Sequence, residues 1–195
     1  MKNILSILLL LIAGLLVYVL YENIKEPIAF QAEKSYRKNA VVDKLENIRS
    51  AQEVYRLVTG EFAPNFDTLN QVLRTDSIKI VTIFGDKDDA NSTEEFREVI
   101  TYKSALDSLM SRAPMNLDSL RYVPFTKSEQ FSIAADTMTY QSTLVNIVEV
   151  GTRWKTFMGK YGTNEYSKYD NSYDPNRMIK FGDLNAPNLA GNWER

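Results

Sequence analysis

The 195 residues contain no cysteine and no histidine. The first absence excludes disulfides, thiolate nucleophiles, iron–sulfur clusters, cysteine-type zinc sites and a lipid-modified cysteine. It is compatible with either side of a membrane. The second removes the commonest general base and the commonest transition-metal ligand. Glycine and proline are sparse, at 8 and 6 residues, which excludes collagen-like and proline-rich chains. Excess charge is lacking too: 23 basic against 25 acidic residues give a net charge of −2, so nothing attracts nucleic acid. No glycine-rich phosphate loop or dinucleotide fingerprint occurs.

What is present is unevenly spread. Residues Ile4 to Tyr21 read ILSILLLLIAGLLVYVLY, an uncharged run whose polar groups are Ser6, Tyr18 and Tyr21. As a helix it spans roughly 27 Å, close to the hydrocarbon thickness of a bilayer. The two tyrosines fall where aromatic belts sit. A cleaved signal peptide is the rival reading, but the run is longer than the roughly 7–15 apolar residues of such peptides, and no A-x-A-like site follows. The expectation is an uncleaved anchor over residues 1–22, a juxtamembrane helical stalk over 23–40 and an α+β domain over 41–195. Basic residues Lys25, Lys34, Arg37 and Lys38 after the run outnumber Lys2 before it, which by count favours a cytoplasmic domain. A two-residue tail before a single span and a long domain is instead a signal-anchor layout. That layout sets the expectation: inner membrane, single pass, domain extracytoplasmic and, in a Gram-negative cell, periplasmic.

Beyond Pro27, which can kink a helix or start one, no glycine or proline interrupts the chain until Gly60. Val41, Leu45, Ile48, Ala51, Tyr55 and Val58 form a helical stripe, with Asp43, Lys44, Glu46, Arg49, Glu53 and Arg56 on the other face. Gly60 stands where a helix-terminating glycine belongs. The more polar Ile28–Ala40 stretch is expected to project as the stalk. Asn65 or Asp67 can cap a short helix ending near Leu73. Strands are expected at Ser77–Phe84, Phe96–Lys103, Leu120–Val123, Gln130–Ala135, Thr143–Val150 and Met178–Phe181, with a helical turn or two over Ser104–Ser111. The architecture these imply is α+β: an N-terminal transmembrane helix continuing into a long amphipathic helix, packed on an antiparallel β-sheet.

The stretch Asp43–Leu73 reads DKLENIRSAQEVYRLVTGEFAPNFDTLNQVL. It resembles type IV pilins and type II secretion pseudopilins where their N-terminal helix ends, through Ile48, Ala51, Tyr55, Gly60, Phe62, Pro64 and Leu69. The chain as a whole is similar to a group of single-span membrane proteins of Bacteroidota, through Leu120–Phe125 (LRYVPF) and Ala190–Glu194 (AGNWE). The first resemblance implies a pilin-like plan and a structural or assembly role in a pilus- or secretion-like envelope machinery, with protein partners that include further copies of the chain. The apolar run holds no acid and Gly14 has no basic leader beside it, so prepilin-type processing is not expected.

Catalysis has little to stand on. Ser35-Tyr36-Arg37-Lys38 matches S-x-x-K, but no S-D-N or K-T-G follows, and no enzyme is expected. Calcium needs only oxygen ligands. Asp86-Lys87-Asp88-Asp89-Ala90-Asn91 opens like an EF-hand loop but lacks Gly at the sixth position and Glu at the twelfth, where Arg97 stands. The C-terminal Asp170, Asp174 and Asp183 are the calcium candidates, since some major pseudopilins bind calcium in a C-terminal loop. The alternative is Asx turns. The late aromatics Trp154, Phe157, Tyr161, Tyr166, Tyr169, Tyr173, Phe181 and Trp193 either fill a loop-rich core or form a contact surface. In the second case Trp154, Tyr169, Tyr173 and Trp193 are the interaction candidates, and the protein is an anchored binding module for a glycan, peptide or calcium. Trp193, close to the end of the chain, is expected to dock on the fold.

Overall fold

Helix α1 (Lys2–Thr59) runs unbroken through Pro27. The computed structural model describes residues 2–85 and 97–194. The EF-hand-like opening at Asp86–Asn91 and the expected strand residue Phe96 lie outside them. The N-terminal part of α1 is long and apolar enough to cross a membrane, with a mean hydropathy of 2.2 over its 18-residue window and none of that window buried. The C-terminal part carries the core: Val41, Leu45, Ile48, Ala51 and Tyr55 of the expected stripe are buried, Val58 is half-buried, and Val54, outside that stripe, is buried as well. Gly60 ends the helix at φ +86°, donating its N–H to Arg56 O at 2.9 Å, a left-handed position that glycine adopts without a Cβ penalty.

The chain then folds back. Gln52, fully buried on α1, donates from Nε2 to Ala63 O (3.0 Å) and accepts from Ala63 N–H at Oε1 (2.9 Å). Helix α2 (Phe66–Thr75) starts at the first of the two expected caps: Asn65 Oδ1 accepts from Thr68 N–H at 2.8 Å. Phe66, Leu69 and Leu73 face the core. Strands β1 (Ser77–Phe84) and β2 (Arg97–Ser104) pair antiparallel. Helix α3 (Ala105–Arg112) follows, capped by Ser104, then the single turn α4 (Leu117–Leu120), capped by Asn116.

The expected strand at Leu120–Val123 does not form. Its first residue closes α4, and only Tyr122 makes a bridge, to Gln130. Arg121 O and Val123 N–H are spent on Phe131 and Glu129, which makes the segment a short clasp. The strand expected at Gln130–Ala135 begins later and runs further, as β3 (Ser132–Tyr140). It joins β4 (Thr143–Arg153) through Gln141 and Ser142, both at positive φ (+47° and +65°). Strand β5 (Met178–Gly182) completes an antiparallel sheet ordered β3-β4-β5. The single sheet expected on the helix is therefore two: this three-stranded one, whose Val148, Val150, Ile179 and Phe181 enter the core with α1, and the separate β1–β2 ribbon.

The stretch expected to project as a stalk is partly docked. Phe30 is fully buried, stacked on Tyr166 at 5.5 Å and edge-on to Tyr161 and Tyr173 at 5.7 and 5.1 Å. Tyr36 meets Phe125 at 5.4 Å, and Arg37 donates to Phe157 O at 2.5 Å. A polar helix face gave no periodic signal for this, because one phenylalanine does the burying.

Candidate functional site

The interaction candidates Trp154, Tyr169, Tyr173 and Trp193, and of the calcium candidates Asp170, gather on the side of α1 that carries Phe30, Lys34 and Lys38. After β4, the turn α5 (Trp154–Phe157) and two 3₁₀ turns wrap the chain back to the helix. Lys34 pairs with Asp170, both side chains mostly buried, and its ammonium lies 5.7 Å from the Trp154 ring and 5.9 Å from the Tyr173 ring. The Lys34 ammonium, followed by the Ser172 hydroxyl, holds the Asp170 carboxyl well below the usual carboxylate range. Tyr173 is buried and donates its hydroxyl to Tyr161 O at 2.7 Å; burial pushes its pKa up to about 12. Tyr169 packs near Phe30 and bonds Glu26. Tyr169 and Tyr173 thus serve the internal docking of α1.

The calcium candidates are spread over three separate turns. Asp170 is committed to Lys34 and Ser172, Asp174 accepts from Asn176 N–H at 2.8 Å, and Asp183 accepts from Asn185 N–H at 2.9 Å. These are Asx turns. Among the described residues no group of three potential acidic ligands is gathered for a metal ion.

Trp154 and Trp193 do share a site. With Lys34, Lys38, Arg177 and the start of β5 they line an open cleft of about 260 Å³ between α1 and the C-terminal tail. The tail is fixed there by several bonds. Asn192 donates to Met178 O (2.8 Å) and accepts from Lys180 N–H (3.1 Å), and Arg49 pairs with Glu194 at 2.7 Å. The Arg49 guanidinium lowers the Glu194 pKa. Gly191 is buried under the indole of Trp193; a Cβ there would fall within 2.7 Å of Cδ2. Arg177 and the cleft role of Lys38 went unmarked in the sequence because they meet the tryptophans only through the fold. Of the S-x-x-K pair, Lys38 lines this cleft, whereas Ser35 is exposed on α1.

The second feature is the β1–β2 ribbon. Except for Ile78 and Ser104 at its base, every residue of both strands is exposed. Directly paired residues share a face. One face therefore carries Ile80, Phe84 and Val99, and the other carries Val81, Ile83, Ile100 and Tyr102. The two outer edges differ. β2 carries Arg97, Glu98 and Lys103, while β1 carries Lys79 alone. Charges on an edge discourage strand addition, so β1 is the edge less guarded by charge.

No family model, curated protein or solved structure matches this chain.

Proposed function

We propose that the protein is a single-pass, membrane-anchored, non-enzymatic assembly component of a pilus- or secretion-like envelope machinery, joined to its neighbours by a protein strand added along the β1 edge. The observation that carries this reading is the ribbon, with apolar side chains exposed on both faces. An isolated two-stranded hairpin is marginal in water, and a flat apolar edge is a template for another strand. The exposed apolar stretch of α1 supplies the anchor. A long helix whose C-terminal half lies under an antiparallel sheet supports the pilin-like plan. In this reading the anchor sits in the inner membrane with the domain on the periplasmic side.

The test is a photo-crosslinking residue at Val81 in native membranes, with Leu144, exposed elsewhere, as control. Protein adducts at Val81 and not at Leu144 are expected. An adduct of twice the chain mass identifies self-assembly; a different mass identifies a separate partner. Equal labelling at both positions, or none at Val81, overturns the reading.

A further inference from the structure

The cleft between α1 and the C-terminal tail offers donors and almost no free acceptors. Asn192, which lines it, spends both ends of its amide on the backbone of β5. The Ser172 hydroxyl donates to Asp170, and Asp170 in turn is held by Lys34. Among the described residues no carboxylate lines the cleft. What is left over is cationic or donor-only. Lys38 and Arg177 have no ion-pair partner among the described residues. Among the described residues the buried Trp193 Nε1–H finds no acceptor. A chain that is near neutral overall therefore concentrates uncompensated positive charge at one concave place. A buried donor without a partner is costly, and Lys and Arg converging from two elements match a carboxylate or phosphate.

The remaining walls are the two indoles, with Met178 and Ile179 beside them. A flat indole packs against the C–H face of a saccharide ring. The open mouth lets ring hydroxyls stay in water, which a purely apolar ligand would not exploit. At about 260 Å³ the cleft is at or below the small end of ligand cavities, roughly 300–1,000 Å³, so it suits one ring, free or at the end of a longer glycan. A bilayer headgroup is the competing source of an anion. Lys38 lies 17 residues beyond Tyr21, about 25 Å along the helix, well past the polar layer that flanks the roughly 30 Å hydrocarbon core.

We infer that this cleft is a binding site for an acidic saccharide unit, with Lys38 and Arg177 pairing its oxyanion and Trp154 and Trp193 stacking on its ring. This goes beyond the assembly role, which rests on the ribbon on a different element.

The chain carries its own reporter, because its two tryptophans both line the cleft. Full-length protein in zwitterionic nanodiscs is titrated with glucuronate, glucose 6-phosphate, glucose and inorganic phosphate while tryptophan emission is followed. A saturable change with glucuronate or glucose 6-phosphate is expected, at least tenfold weaker with glucose and with phosphate alone. In Lys38→Gln and Arg177→Gln, whose side chains hold no ion pair among the described residues, the apparent affinity should fall at least fivefold with the melting curve unchanged. Glucose binding as well as glucuronate, phosphate binding as well as either sugar anion, or affinity unaltered in both variants overturns the inference. So does an emission change that appears only when the nanodiscs contain phosphatidylglycerol, which would assign the site to lipid. No saturable change with any probe also overturns it, and leaves the crosslinking test of the ribbon untouched.

Discussion

The side-chain amide of Gln52 holds both backbone groups of Ala63, at 3.0 and 2.9 Å, and both residues are fully buried. The amide stands in for a strand partner at the point where the chain leaves α1 and reverses. Water does not reach these groups, so losing the amide strands two backbone atoms. Leaving a buried donor or acceptor unpaired costs about 1–3 kcal/mol each. Gln52→Leu should therefore destabilise the protein by about 2–5 kcal/mol, read by urea titration of the detergent-solubilised chain. A loss below about 0.5 kcal/mol would show that the turn finds other partners.

Gln52 also shows where sequence reading stops. Gly60, the Asn65 cap, the β-branched runs of β1 and β4 and the short alternating β5 were legible because each carries its signal within a few residues. Gln52 lies on a helix among charged neighbours, and its burial depends on a turn eleven residues away. The Gln141–Ser142 hairpin went unmarked because neither residue is the glycine or asparagine that positive φ favours. Leu120–Val123 reads as a strand by composition, but capping at Asn116 takes its start into a helical turn. Of the candidate site, the aromatic residue types were legible and their division was not. Only the fold separates Tyr169 and Tyr173, used to dock α1, from Trp154 and Trp193, which line the cleft.

Phe30, a large apolar side chain fully buried on α1, fixes that helix to the tyrosine cluster. Removing a buried phenylalanine typically costs about 3–5 kcal/mol. Phe30→Ala should release the 3₁₀ turns around Tyr161–Tyr169. Limited proteolysis should then cut between residues 160 and 175, where the native chain resists. Unchanged cleavage would mean that Lys34–Asp170 and Arg37 suffice to hold the helix.

Asp170 makes that docking sensitive to acid. Its folded pKa lies below the unfolded value, chiefly through the Lys34 hydrogen bond. The carboxylate form therefore stabilises the fold above the unfolded pKa of about 3.9, and the contribution fades as pH falls toward the folded value. The melting-temperature gap between the native chain and Asp170→Asn should be constant from about pH 8 to pH 5 and shrink below about pH 4. A gap that widens on acidification would contradict the pairing.

Gly191 leaves no room for a side chain beneath the Trp193 indole. Gly191→Ala should push the ring outward. In a Trp154→Phe background, Trp193 emission should shift to longer wavelength. Deleting residues 192–195 should lower the melting temperature, because Asn192 and Glu194 tie the tail to β5 and α1. An unshifted spectrum in the first variant would show that the tail absorbs the methyl group.

Ile48 and Ile100 are the same residue type in opposite settings: the first is fully buried on α1, the second 47% exposed on the ribbon. Truncating Ile48 removes contacts on all sides and leaves a cavity, so Ile48→Ala should cost about 2–5 kcal/mol. Ile100 loses mainly its cross-strand partner Val81, worth about 0.2–1 kcal/mol. In urea titrations of the isolated protein, Ile48→Ala should therefore lose at least twice as much stability as Ile100→Ala. In native membranes the order should reverse for assembly. Ile83→Lys should abolish the crosslinks formed from Val81 while leaving the fold intact, because Ile83 is exposed on β1 itself and a charge on that edge opposes an added strand without touching the core. Comparable stability losses for the two alanine variants would place the ribbon in the domain's own core and remove the basis for an assembly edge.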